Sequence, residues 1–385
     1  MTIPAIQDFA PDAKSDLAVM LTGGGARAAY QVGLLKGLAR HFPDLRIDII
    51  TGVSAGAINA MYLAAATGSL RQKAHDLERL WIDLSCSTIY DFHLRALIPK
   101  WGKRSLRGLL DTQPLRELMS RVLGVPSWAP IDSIEDNIRR GDLTALALMT
   151  LDYSTGQNVR WVQGRYFDVH EGPNRRTEPT RFTVEHVMAS SALPFVFPAA
   201  RIGNAWHGDG GIRLSTPFSS ALHLGATHII AMSTGYQRTP AEASMPLVPG
   251  YPPSAQILNQ LVNAIFIDAL DEDAARMERM NEMLRKMRPE DRGGMKPIDL
   301  LVLRPTIDLG KLAGDYERYL PRKLKLLVRI LGGNETESSD LVSMLMFERP
   351  YTRALIDAGE ADVESRIDEI RVFLGDEPSQ IVAAS

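Results

Sequence analysis

Leu17-Ala18-Val19-Met20-Leu21-Thr22-Gly23-Gly24-Gly25-Ala26-Arg27-Ala28 is the stretch that decides the fold, and Ile47-Asp48-Ile49-Ile50-Thr51-Gly52-Val53-Ser54-Ala55-Gly56 repeats its plan. Each begins with a short apolar run closed by glycine, as expected of a strand buried on both faces of a parallel sheet. Helical spacing follows each run. Ala29, Val32, Leu35 and Leu38 carry it after the first, and the alanine-rich Ala55 to Ala66 after the second. The order β–loop–α–β–turn–α predicts an α/β domain with a mostly parallel central sheet.

Working outward, Leu143 to Thr150 reads as a further strand, and Val159 to Val162 as its partner through a turn at Tyr153 to Gln157. Thr183 to Ala192 reads as a helix stopped by Pro194 and Pro198, and His228 to Met232 as another buried strand. Composition then shifts. Pro240, Pro246, Pro249, Pro252 and Pro253 mark a linker or wrapping loop. Beyond it, Ile257 to Arg288 reads as one long helix, Leu300 to Leu303 as a late strand, Leu320 to Leu331 as a basic helix and Pro350 to Leu374 as a final helix. The expected organisation is a tail over residues 1–14, a catalytic domain over 15–238, a mainly helical extension over 239–375 and a frayed end over 376–385.

The 385 residues are 45% hydrophobic and 23% charged, enough apolar surface for a sizeable core, which excludes bulk disorder. A net charge of −3 argues against a dedicated nucleic-acid binder. The single cysteine, Cys86, excludes an intramolecular disulfide framework and a cysteine-based zinc cluster, and suits a reducing compartment. The first residues show neither a basic region nor an apolar core, and no apolar run is long enough to span a bilayer. A cytoplasmic protein is expected, with peripheral membrane contact left open.

Gly52-Val53-Ser54-Ala55-Gly56 is a G-x-S-x-G set where a strand ends and a helix begins. A sharp turn there pushes the serine out at the sheet edge, and small neighbours let the backbone bend that far. Thr22-Gly23-Gly24-Gly25-Ala26-Arg27-Ala28 occupies the same strand-to-helix context. Consecutive glycines let backbone N–H groups converge on an anion or oxyanion. Gly23, Gly25 and Ala28 also satisfy a dinucleotide fingerprint, but that reading needs an acid at the end of the second strand, and Asp48 lies at the wrong end. Arg27 reads either as an ordinary ion-paired residue or as a contact in the anion site.

A serine hydroxyl needs a base. The histidines after Ser54 end at His228, and none sits in an evident catalytic loop. Gly208-Asp209-Gly210-Gly211 offers an acid in a tight, glycine-lined turn, which also reads as a simple Asx-turn. The ordered set of Gly-Gly-Gly-x-Arg, G-x-S-x-G and Asp-Gly-Gly resembles the patatin-like phospholipase family. So does Ala189-Ser190-Ser191-Ala192-Leu193-Pro194, followed by Pro198. The resemblance runs over roughly residues 15–235. It implies a three-layer α/β/α fold and a Ser–Asp dyad without histidine, metal or organic cofactor. Ser54 would be the nucleophile and Asp209 the base. Gly23, Gly24, Gly25, Ala26 and Arg27 would form the oxyanion loop, with Gly52, Gly56, Gly210 and Gly211 supporting the motifs. Ala28 departs from the family pattern, which has glycine there. Residues 240–385 resemble the helical extension of a bacterial subgroup. The implied substrate is an acyl-ester lipid. Competing readings are a Ser–His–Asp esterase of another fold and a non-catalytic lipid-binding protein. Head group, chain length, sn-position and oligomeric state are left open.

Two segments mix leucines with basic residues, 93–110 around Trp101 and 320–331 with Arg322, Lys323, Lys325 and Arg329. Each reads as a cap with a solvated basic face or as a surface for anionic membrane. Met277, Met280, Met283 and Met287 recur at helical spacing and are expected to pack in the core rather than line an acyl groove.

Overall fold

The computed structural model describes residues 17–92, 108–165, 167, 169, 171–244, 251, 257, 260, 269–330 and 340–376. Among the described residues eleven strands form: β1 (Leu17–Leu21), β2 (Ile49–Val53), β3 (Asp91–Phe92), β4 (Leu110–Asp111), β5 (Ala145–Asp152), β6 (Asn158–Gly164), β7 (Arg175–Pro179), β8 (Ala200–Ile202), β9 (Ala205–Asp209), β10 (His228–Met232) and β11 (Asp299–Leu303). The main sheet runs β11-β10-β1-β2-β5-β6-β7, with β9 on β5 and β8 on β9. The five strands from β11 to β5 are mutually parallel, and β6 returns antiparallel to β5. The apolar runs read from the sequence therefore lie at the centre, buried on both faces.

Helices cover both faces. On one side the core joins helices Ala28–His41, Ala55–Ala65 and Arg349–Ser365 to the sheet; on the other, Phe218, Ala221 and Leu224 pack with Leu270 and Ala274. Two glycines, Gly33 and Gly359, bring helix backbones together. A Cβ on Gly33 would lie 2.0 Å from Ile356 O, and one on Gly359 2.2 Å from Tyr30 O. The shift in composition at residues 239–253 does not mark the end of the sheet, because β11 joins its edge beside β10.

Two expectations need correction. The final helix is two, Arg349–Ser365 and Ile367–Leu374, broken at Arg366. No proline or glycine marks the break; Arg366 turns to donate to Val302 O of β11 at 2.7 Å. The methionine row is not core. Helix Ala269–Lys286 buries Leu270, Ala274, Asn281 and Leu284, and only Met277 joins that side. Met280, Met283 and Met287 are 44%, 58% and 37% exposed. Asn281 holds this register by bonding both N–H and C=O of Ile298, at 2.9 and 2.7 Å. The N-terminal tail, residues 93–107 of the first basic segment, most of 257–268 and residues 377–385 lie outside the described residues. Among the described residues, no helix is long and apolar enough to cross a membrane.

Candidate active site

The sheet brings Ser54 and Asp209 together by a substitution of strands. β2 runs along β5 as far as Val53 opposite Met149. There the chain turns out at Ser54, and β9 takes the vacated edge of β5, with Asp209 opposite Thr150. The nucleophile candidate leaves the sheet at the level where the acid enters.

Ser54 holds φ 56° and ψ −133°, a conformation disfavoured for a residue with a Cβ. Its small neighbours are sterically required. A Cβ on Gly52 would lie 2.6 Å from Ala60 Cβ, and one on Gly56 2.3 Å from Leu21 O. Helix Ala55–Ala65 therefore starts directly against the end of β1, with its N-terminal field at the serine.

The segment after helix Val184–Ser190 ties the two residues to one frame. Ser190 Oγ accepts from Ser54 N at 3.0 Å and donates to Met149 O at 2.7 Å. Ser191 Oγ donates to Ser54 O at 3.0 Å, and Asp209 N donates to Ala192 O at 3.0 Å. Ser190 to Ala192 thus spans from nucleophile to acid. The sequence pattern flagged this segment but not its task.

Asp209 is completely buried. Its Oδ1 accepts from Gly211 N at 2.8 Å, and its Oδ2 has no hydrogen-bond partner. Burial pushes the carboxyl up to about 7, against the Ser54 hydroxyl and the Gly211 amide, which both favour the ionised form. A carboxylate near neutrality beside a serine hydroxyl is a poised base. Among the described residues, no histidine bonds to either group: His207 pairs with Thr150 at 3.1 Å, and His186 with Thr183 at 3.0 Å. With Asp209 ionised in the active form, kcat/KM on a neutral short ester should rise tenfold per pH unit up to an apparent pKa near 7 and level above it. A pH–rate profile measures this, and an acid limb that falls near 4 would remove Asp209 as the titrating base.

The glycine loop faces the turn from the end of β1. Gly24 takes φ 146° and Gly25 φ 58°. Among the described residues, the N–H groups of Gly23 and Gly24 have no hydrogen-bond partner. The loop is fixed from behind. Thr234 Oγ1 donates to Gly23 O, and Gln31 Nε2 donates to Thr22 O at 2.9 Å and Met232 O at 3.0 Å. Asn59 holds Gln31 at 3.0 Å and is held by Trp81 Nε1 at 2.8 Å. Arg27 is buried. Its N–H donates to Gly24 O at 3.1 Å, and its guanidinium is engaged by Asp340 and Ser343. Arg27 therefore holds the loop to helix Asp340–Leu345, a contact across more than 300 residues that sequence reading does not reveal. An apolar pocket borders the site, lined by Gly23, Gly52, Val53, Gly211, Leu214 and Leu270 among others.

A sequence model of patatin-like phospholipases matches residues 19–222, more than half of the chain. The chain belongs to the patatin-like phospholipase family. A cGAMP-activated phospholipase of Pseudomonas aeruginosa is 27% identical over 213 residues, 53% of this chain and 54% of that protein, so the match spans about half of each. Human GIVD cytosolic phospholipase A2 is 11% identical at a TM-score of 0.42, covering 96% of this chain and 61% of its own. VipD from Legionella pneumophila is 12% identical at a TM-score of 0.38, with 90% and 67% covered. The family's three-layer α/β/α architecture accords with the sheet and its two helical faces.

Proposed function

We propose that this protein hydrolyses acyl-ester lipids with a Ser54–Asp209 dyad. Ser54 Oγ attacks the ester carbonyl while Asp209 takes its proton. The tetrahedral oxyanion is met by N–H groups of the loop Gly23, Gly24, Gly25 and Ala26, which Arg27 anchors. Such donors are worth about 3–4 kcal/mol each in the barrier. The intermediate collapses, Asp209 returns the proton to the leaving alcohol, and an acyl-Ser54 ester remains. Asp209 then takes a proton from water as the water oxygen attacks the acyl carbon; when the second intermediate collapses, the bond to Ser54 Oγ breaks, Asp209 returns the proton to that oxygen, and the fatty acid is freed. The observation that carries the reading is the completely buried Asp209 carboxyl with the Ser54 hydroxyl beside it, where β2 leaves the edge of β5 and β9 enters.

The lipid class rests on the family and on the relative named a phospholipase. Peripheral contact with anionic membrane is supported by helix Arg322–Ile330, which exposes Arg322 and Lys323. Lys323 Nζ lies 5.9 Å from the ring centroid of Phe92. The deciding experiment is mass spectrometry of products from a mixed lipid pool. The wild type should release free fatty acid and the matching deacylated lipid, and Ser54→Ala should reduce this at least 10³-fold. Equal release by Ser54→Ala would refute the reading.

A further inference from the structure

The glycine loop is backed by helix Asp340–Leu345, which lies beyond the residues 19–222 that the family model matches. Two contacts make the junction. Gly25 holds φ 58°, and a Cβ there would lie 2.1 Å from Met344 O, so the loop and helix backbones touch. Two residues on, the buried Arg27 donates from Nε to Ser343 Oγ and from Nη2 to Asp340 Oδ1. The helix is held in turn by two buried tyrosines. Tyr90 donates its hydroxyl to Leu345 O at 2.6 Å. Tyr351 donates to Leu309 O at 3.0 Å, and its oxygen lies 3.1 Å from Ser343 Oγ.

Nε and Nη2 of Arg27 both point to this helix, so its side chain acts as a tether of the loop. The tether is joined to the glycines by a single turn. Arg27 N–H donates to Gly24 O at 3.1 Å and closes Gly25–Arg27, so the peptide planes of Gly24 and Gly25 move with the Arg27 backbone. A guanidinium keeps its proton in a protein. Removing the acid from a buried pair therefore strands a charge, and the side chain is driven to turn toward water. Through so short a turn the loop would follow, and a misplacement of about 1 Å can cost about 10²-fold in rate. We propose that Asp340 is a positioning residue of the ester hydrolysis: acting through Arg27, it fixes the direction of the loop N–H groups that meet the oxyanion. A helix outside the family match is thereby part of the catalytic apparatus. This role rests on the oxyanion reading of the loop given above.

The experiment uses the full chain and measures kcat and KM for a short neutral ester, the rate at which a fluorophosphonate labels Ser54, and Tm. Asp340→Ala should lower kcat and the labelling rate at least tenfold and change KM less than threefold, the split expected when stabilisation of the transition state alone is lost. Asp340→Ala strands a buried charge, so Arg27→Met combined with Asp340→Leu is made beside it and carries the test if the single variant does not fold. That double variant removes both charges, and its Tm should return to within a few degrees of wild type. Its kcat and labelling rate should stay at least tenfold down, because the tether is still missing. A pair that serves stability alone predicts that kcat returns together with Tm. That result would overturn the proposal, and so would an Asp340→Ala enzyme of wild-type kcat. Gly24→Val and Ser54→Ala are assayed alongside. If both are inactive while Asp340→Ala is unimpaired, the role of Asp340 alone fails. If Gly24→Val keeps full activity, the oxyanion reading of the loop fails, and the role of Asp340 with it.

Discussion

Asp209→Asn should fold and lose at least about 10²-fold in kcat on a short acyl ester, the least that removal of a general base costs. The amide keeps the volume and the acceptor that meets Gly211 N at 2.8 Å, so the turn persists. It has no lone pair basic enough to take the Ser54 proton. The same substitution carries a signature in stability that a merely inactive variant would lack. Burial penalises the charge of the native carboxyl and pushes it up to about 7. A raised native pKa means that the folded state binds the proton more tightly than the unfolded state does. The wild type therefore loses stability as pH rises from about 4 to about 7, and the loss is complete above that. Asparagine carries no charge to bury. Asp209→Asn should match the wild type in Tm near pH 4 and exceed it at pH 8, with a ceiling of about 4 kcal/mol. Thermal melts at both pH values measure this, beside kcat. Retention of more than a tenth of wild-type activity would end the role of Asp209 as base.

What could be read in the sequence was what local sterics dictate. Gly24, Gly52 and Gly56 are glycine because a Cβ at each would strike an atom within 2.6 Å, and such positions leave a spaced signature in the chain. The central strands are buried on both faces and so appear as unbroken apolar runs. What escaped was set by distant partners. Nothing in Gly-Gly-Gly-Ala-Arg announces that Arg27 belongs to Asp340 and Ser343. The break at Arg366 answers to a carbonyl on β11 rather than to a helix breaker. The methionine row has helical spacing, but spacing alone does not say which face of a helix meets the sheet; Asn281 settles that through Ile298.

Gly24→Val tests the second half of the catalytic proposal. Gly24 holds φ 146°, which side-chain-bearing residues rarely adopt, and its Cβ would fall 2.3 Å from Thr234 Oγ1. Thr234 cannot simply swing aside, since its hydroxyl holds Gly23 O and its N–H donates to Thr22 Oγ1 at 3.2 Å. Valine therefore forces the peptide planes on either side of residue 24 to rotate. The N–H groups of Gly23 and Gly24, the proposed oxyanion donors, then change direction. Losing one oxyanion donor costs about 10²–10³ in kcat, so displacing two should bring activity to background. The fold should survive, because Arg27 with Asp340 and Gln31 with Met232 O pin the loop on both flanks. A cooperative melt within a few degrees of wild type is expected, with KM for a short ester changed far less than kcat. That split separates loss of oxyanion stabilisation from loss of binding. A Gly24→Val enzyme of full activity would make the loop a structural element and place the oxyanion elsewhere.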